Sequence, residues 1–416
     1  MKRVAMLCLG LAVGVASAAE AQLTMQMSNG WAFTFSGNVN AFAVYESQSE
    51  TGGTNLALTP GGLIGIGGKG FNLRTGLLPA FSVFDAKGKE GNTDLGVHFG
   101  FAPQIQCGTG GGSAGSSAHD CFGAQIDMRQ VYLTVGGTWG QILAGREIGL
   151  FNRQNILTDQ TLFGIGATGG INGGGTTLGR IGFGYIYPNF VAQMTYSTPS
   201  GKPGQLSIGL FQPSGLGGDA GTVYNQTQAP RLESEFSYKA GSVQLWINGT
   251  VQNAKDKVAA SPFFDASKTA TGVGGGLRFG KSAIGLTGSG YWGKGIGTTL
   301  QFNGVGGTGG AVSGLGVGGD GELRDSYGFI GQVTITPTDS KVTLAGSYGS
   351  SYLKSTTGEA TQFKTENSLI SGGIYYQATK SLKVVGEGDY AWTKEHIAAT
   401  DKNKTFAGAF GLMLFF

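Results

Sequence analysis

Along most of the chain, apolar and polar residues take turns with a period of two. In Trp31–Tyr45 the odd positions are Trp31, Phe33, Phe35, Gly37, Val39, Ala41, Ala43 and Tyr45, while Thr34, Ser36, Asn38 and Asn40 hold even ones. Phe71–Val83 sets Phe71, Leu73, Thr75, Leu77, Pro79, Phe81 and Val83 against Asn72, Arg74 and Ser82. Leu95–Cys107 sets Leu95, Val97, Phe99, Phe101 and Ile105 against His98, Gln104 and Gln106. Leu382–Trp392 sets Leu382, Val384, Tyr390 and Trp392 against Lys383, Glu387 and Asp389, and the chain ends Phe406, Gly408, Phe410, Leu412, Leu414, Phe416. This is the pattern of strands with one apolar and one wet face.

Seven short turns punctuate the pattern: Asp85–Thr93, Gly136–Gly140, Pro199–Gln205, Lys239–Ser242, Gly280–Ser282, Pro337–Lys341 and Thr379–Ser381. They alternate with eight longer Gly-rich loops: Glu46–Gly70, Gly108–Asp120, Glu147–Gly179, Gln212–Pro230, Asn253–Thr271, Gly295–Leu323, Lys354–Lys364 and Glu395–Asn403. The tally predicts 16 strands, with Arg180–Thr198 read as one long strand bulged near Pro188. Tight turns on one rim and long loops on the other belong to a closed antiparallel barrel in an outer membrane. Lipid leaves no backbone group unpaired, so such a sheet closes on an even strand number. A soluble β-sandwich or solenoid would need two domains for this many strands, and no linker divides the chain.

Composition narrows the choice. Charged residues are 13% of the 416, against about 25% in ordinary soluble domains. With 25 Phe, 14 Tyr and 5 Trp the chain is not disordered, and 79 Gly beside only 10 Pro is not collagen. The longest apolar run, Val4–Ala16, has 13 residues, too few for a membrane-crossing helix of about 20. The net charge of +3 gives no reason to expect nucleic acid. The wet registers carry Arg231, Glu233, Glu235, Gln244, Asn248, Thr250, Lys383, Glu387 and Asp389, and His98 lies on one too. Burying so many charges dry would cost several kcal/mol per unpaired ion, so these side chains are expected to face a water-filled lumen. Aromatics near strand ends, among them Trp31, Tyr45, Trp292, Tyr390 and Trp392, suit interfacial girdles.

The N-terminus reads as an export signal: Lys2 and Arg3, the apolar Val4–Val15, then Ala19-Glu20-Ala21. Residues 1–21 are therefore expected to be removed, leaving 22–416 as a single barrel domain. Cys107 and Cys121 flank a polar Gly/Ser segment and are expected to pair in an oxidising compartment, worth about 3 kcal/mol for a loop of this length. Several motif spellings are empty. GGLRFGKS (Gly275–Ser282) matches a phosphate loop but is followed by β-like sequence, not a helix. GIGGKG and GLGVGG match a dinucleotide fingerprint by glycine abundance alone, and GGSAG (Gly111–Gly115) lies in one loop with no strand-turn-helix. His98, His119 and His396 have no metal-ligand spacing. Neither a metal, a cofactor nor a catalytic group is expected.

Two stretches, DMRQVYLTVGGTWGQILAGRE and LGRIGFGYIYPNFVAQMTYSTP, together with the export signal and the terminal Phe416, resemble the Gram-negative general porins. These are trimeric 16-stranded outer-membrane barrels. The resemblance implies that the third loop, Glu147–Gly179, folds into the lumen and narrows it. Its TDQTLFG stretch is similar to the family's acidic constriction segment, with Asp159 in place. Leu162 or Phe163 stands where a second acid is expected, which weighs against strong cation selectivity. The facing wall arginines would be Arg74, Arg129 and Arg180, on the second, fourth and sixth strands, with Arg146 and Arg153 joining them. Alternation agrees with an inward Arg74. Arg129 shares parity with Val131, Leu133 and Val135, so a bulge or a strand end is expected beside it. The resemblance implies passive diffusion of ions and small hydrophilic solutes, with a weak anion preference from the excess of arginine. It also implies a homotrimer, contact with outer-membrane lipids and lipopolysaccharide, and recognition by the outer-membrane assembly machinery. A substrate-specific channel and a non-conducting structural or adhesive surface barrel are the alternatives.

Overall fold

The computed structural model describes residues 23–49, 62–65, 67–105, 126–171, 175–218, 223–303, 316–397 and 402–416. The expected export signal and the Cys107–Cys121 pair lie outside the described residues. The strands are β1 (Leu23–Gln26), β2 (Ala32–Gln48), β3 (Lys69–Arg74), β4 (Phe81–Glu90), β5 (Thr93–Pro103), β6 (Ile126–Gly137), β7 (Gly140–Ile148), β8 (Phe190–Ser197), β9 (Gly204–Phe211), β10 (Leu216–Gly217), β11 (Val223–Tyr224), β12 (Arg231–Ala240), β13 (Val243–Lys255), β14 (Ser267–Lys281), β15 (Ile284–Lys294), β16 (Asp325–Ile335), β17 (Val342–Lys354), β18 (Lys364–Gln377), β19 (Leu382–Glu395) and β20 (Lys402–Phe415). The short helix α1 spans Arg153–Thr158.

Counting β3 and β4 as one interrupted wall strand, the wall has 16 strands. Each pairs antiparallel with the next, and β20 returns to β2 to close the ring. At the seam, Phe416 and Gly37 exchange backbone hydrogen bonds of 2.7 and 3.0 Å. Past that point the edge of β2 is taken over by β1, which pairs Leu23 with Phe35 and Gln26 with Ala32.

The alternation sorts outward from inward as the sequence predicts. On β2, Val39 and Tyr45 are exposed on the outer face, while Asn38, Asn40 and Glu46 are buried on the inner one. On β18–β20 the outer row is Ile370, Ile374, Phe406, Phe410, Leu412 and Leu414, and the inner one includes Glu387 and Asp389. An apolar outer surface of this kind is stable only against lipid.

The structure departs from the alternation in three places. The predicted strand Phe71–Val83 is broken at 75–80, so Leu77 and Pro79 do not face outward. Pro79 cannot donate to a ladder. Asn40 accepts from the Gly76 N–H and donates to the Leu78 carbonyl, and Asn38 donates to the Pro79 carbonyl. Leu77 and Leu78 are thereby turned inward and buried. Second, Arg180–Thr198 is not one strand. β8 begins at Phe190, after a bent stretch with positive φ at Gly182, Gly184 and Asn189. The third loop therefore runs over 149–189, not Glu147–Gly179. Third, the first short turn is tighter than Asp85–Thr93, since β4 runs to Glu90.

Candidate pore constriction

Segment 149–189 is tied to inward-register side chains around much of the wall. Glu233 on β12 accepts the N–H groups of Leu150 and Phe151 at 2.7 and 3.0 Å. Glu235, two residues on, pairs with Arg153 at 2.6 Å and accepts from Gln154 at 3.1 Å. Trp246 on β13 donates its indole N–H to Asn155 at 2.8 Å. Gln332 on β16 accepts from the Gln160 N–H and donates to the Thr158 carbonyl. Glu387 on β19 accepts the N–H groups of Ile165 and Gly166, both at 2.7 Å, and the Tyr375 hydroxyl at 2.5 Å. Irregular backbone away from bulk water needs such acceptors, because an unpaired buried N–H is costly. The inward carboxylates were expected to sit in open water. Most are instead buried, Glu233 at 2% and Glu387 at 6% exposure, and consumed by this segment.

Inside that frame lies a compact acid–base nucleus. Asp159 follows α1 and caps a turn of 3-10 helix at Gln160–Phe163, accepting from the Thr161 N–H at 3.0 Å and its hydroxyl at 2.6 Å. Tyr185 donates to the same carboxylate at 2.9 Å, and the Arg180 guanidinium stands 3.8 Å away. Arg180 also donates to the Leu369 carbonyl and the Ser347 hydroxyl on the opposite wall. The segment folds back on itself where Gly166 and Gly179 cross, both with φ near +55° (53° and 56°). A Cβ on Gly166 would come within 2.5 Å of Gly179 Cα. Apolar side chains from the segment (Ile156, Leu162, Ile165, Ile181) pack with Leu77, Leu78, Phe42 and Tyr375.

The predicted site residues divide. Arg74, at the end of β3, donates to the carbonyls of Gly175 and Thr176 in this segment. Arg129 is the residue at which the β5–β6 register slips: Gly100 faces Gln130 and Phe101 faces Met128. The bulge turns Arg129 to the lumen beside buried Gln130, where it meets Asp127 at 2.8 Å and the Tyr187 hydroxyl at 3.3 Å. Arg180 sits on the loop beside Asp159 and not on a sixth strand. Arg146 is a correction: it shares the outward register of Ile142 and is exposed, paired in the ladder with outward Val131 and Ala192. Leu162 is buried core, and Phe163 lies under the Lys383 ammonium, 3.9 Å from its ring centre. Sequence reasoning missed the inward apolar Phe42 and the N–H-binding role of Glu233 and Glu387. The available signal was acids placed on otherwise charge-poor strands.

On the short-turn side of α1 the lumen holds two adjoining cavities of about 60 and 140 Å³ that share Lys87, Thr134, Gln141, Arg153 and Ser197. His98 lines the smaller one. Its Nδ1 lies 2.9 Å from Asp85, and its ring stacks on Tyr132 with centres 4.5 Å apart.

The sequence model of the family described as Gram-negative porin matches residues 5–396. No curated protein matches in sequence. Among solved structures, the outer-membrane channel DcaP of Acinetobacter baumannii is similar at 16% identity, over 94% of this chain and 99% of that one, with a TM-score of 0.65. The trimer form of OmpT from Vibrio cholerae is similar at 12% identity over 93% and 100%, with a TM-score of 0.53. OmpF of Salmonella typhi, in complex with daunomycin, is similar at 12% identity over 95% and 100%, with a TM-score of 0.55. A family match over nearly the whole length, on a closed 16-stranded barrel with an apolar outside and a polar inside, makes this chain a member of the Gram-negative porins, an outer-membrane diffusion channel.

Proposed function

We propose that the channel passes ions and small hydrophilic solutes down their gradients and that segment 149–189 lies in the lumen and sets the size limit. The observation that carries this reading is the set of hydrogen bonds from that segment to inward residues of β12, β13, β16 and β19. Sieving and electrostatics suffice; the reading assigns no catalytic group, cofactor or metal. Residues 1–21 act as a cleaved leader, Cys107 and Cys121 form a disulfide, and 22–416 is one barrel domain. The protein assembles as a homotrimer, a reading supported by the trimer form of the OmpT neighbour. It contacts lipopolysaccharide and other outer-membrane lipids and is inserted by the assembly machinery.

The ion preference is anionic and weak. Arg129, Arg153 and Arg180 each have an acid beside them, in Asp127, Glu235 and Asp159, which cancels most of the field. Lys87, on the short-turn side, has no ion-pair partner among the described residues. The second reading, a substrate-specific channel, is favoured by the extent to which the loop consumes the wall's polar groups. Planar-bilayer recording tests the proposal. Discrete conductance steps and a reversal potential in a KCl gradient that favours chloride slightly are expected. Faster potassium overturns the anion preference, and the absence of conductance overturns the channel.

A further inference from the structure

The cavities beside His98 have an uneven supply of hydrogen-bonding groups. The carboxylates are paired, Asp94 of the larger cavity with Lys89 at 2.8 Å. Asp85 is held by His98 Nδ1 at 2.9 Å, and Glu147 accepts from Gln130 at 2.8 and 3.1 Å and from the Ile148 N–H at 2.7 Å. The donors are not. His98 is 5% exposed, and its Nε2, which donates only when the ring carries a second proton because Nδ1 already serves Asp85, is buried with no hydrogen-bond partner. The Lys87 ammonium has no partner among the described residues. Arg153 is fixed by Glu235 through its Nε and one terminal nitrogen, which aims the guanidinium at the same space. The imidazole is held on both sides, by Asp85 and by the stacked Tyr132 ring, so Nε2 keeps one direction. Among the described residues no three His, Cys, Asp or Glu side chains gather to hold a metal ion. Unpaired cationic donors beside carboxylates that are already paired recognise an anion, and the anion draws the second proton on to His98.

We propose that this part of the lumen binds the carboxylate or phosphate group of a small solute between His98, Lys87 and Arg153. The smaller cavity takes the charged head and the larger one the body. The inference rests on the channel reading and turns a bare passage into one with a residence site.

Isothermal titration of the purified full-length protein in detergent tests it, with acetate, inorganic phosphate and the neutral acetamide as probes. Saturable binding of acetate or phosphate, and none of acetamide, is expected. Acetate alone assigns a carboxylate solute, and phosphate alone a phosphorylated one. Lys87→Met and His98→Gln each weaken binding about tenfold, as loss of one charge-assisted hydrogen bond implies. Lys281→Met, at another short turn, retains it. Lys87 is exposed in the lumen, so its variant folds even if the His98 variant does not. Absence of saturable anion binding, or Lys87→Met binding as tightly as the parent, overturns the site. Binding retained in a protein that forms no conductance steps overturns the channel reading and leaves the site standing.

Discussion

At the scale of single residues, the loop is held by a few side chains that the wall supplies at the right height. Glu387 is the clearest, since one carboxylate serves two backbone N–H groups and a tyrosine. Glu387→Ala leaves those donors unsatisfied and weakens docking of the segment by about 3 kcal/mol. Larger and noisier conductance steps than the parent's are expected in bilayers; unchanged steps would show that Glu387 does not anchor the segment. Gly166→Val acts on the same element from the other side, because a branched residue at φ 53° is strained and collides with Gly179. It gives the same phenotype while leaving the wall intact. At this scale the sequence was partly readable. The parity conflict at Arg129 signalled a bulge, and the register slips there. Arg146 carries a parity signal too, since it shares the outward register of Ile142, against the lumenal place that the resemblance implies.

At the scale of elements, strand length varies round the wall. β8 and β9 have 8 residues each, while β18, β19 and β20 have 14. At a rise of about 3.3 Å and a tilt of about 40°, the former stand about 20 Å tall and the latter about 35 Å, against an apolar band of about 25 Å. The low wall adjoins the long segment 149–189, which explains why reading Arg180–Thr198 as strand failed. Its period-two apolar residues Phe183 and Tyr185 are buried in clusters with Leu369 and Tyr375 of the wall. Alternation reports two environments, not which two, so a loop packed between wall and water can imitate a strand.

The outer loops have their own fastening. Arg324, just before β16, pairs with Glu359 in loop 355–363, and Thr356 donates to both Asp320 and Glu359, from its hydroxyl and its N–H respectively. Burial alone would push Glu359 up, but the bonds from Arg324 and the Thr356 N–H hold its carboxyl below the usual range. A folded-state value below the unfolded one, about 4.3, stabilises fully above that value, and the contribution fades as pH falls through the lowered one. The tether is therefore intact at neutral pH and lost in acid. Limited proteolysis at neutral pH should cut Glu359→Gln about fivefold faster than the parent, the gap closing in acid as the parent loosens. Equal rates at neutral pH would remove the tether from the account.

At the scale of the whole molecule, the ring depends on its ends. Phe416 exchanges two backbone bonds with Gly37, and its ring meets that of Phe35 with centres 5.2 Å apart. Deleting Phe416 costs about 2 kcal/mol. The deletion should lower the temperature at which the protein loses its compact, heat-modifiable band on a denaturing gel; an unchanged midpoint would mean that the seam holds without it. The closed architecture was the most legible feature of the sequence. It follows from counting turns and faces over hundreds of residues, where local errors such as Pro79 cancel. The loop's path was the least legible, because it is fixed by contacts between positions far apart, such as Ile165 with Glu387.

The last join of the cylinder is made between β2 and β20, two strands that lie far apart along the chain. Until β20 pairs with it, β2 carries a raw margin of backbone donors and acceptors, the kind of edge that recruits stray strands. Closing the ring therefore brings together stretches from opposite ends of the described chain, and the margin of β2 is open to stray partners until they meet.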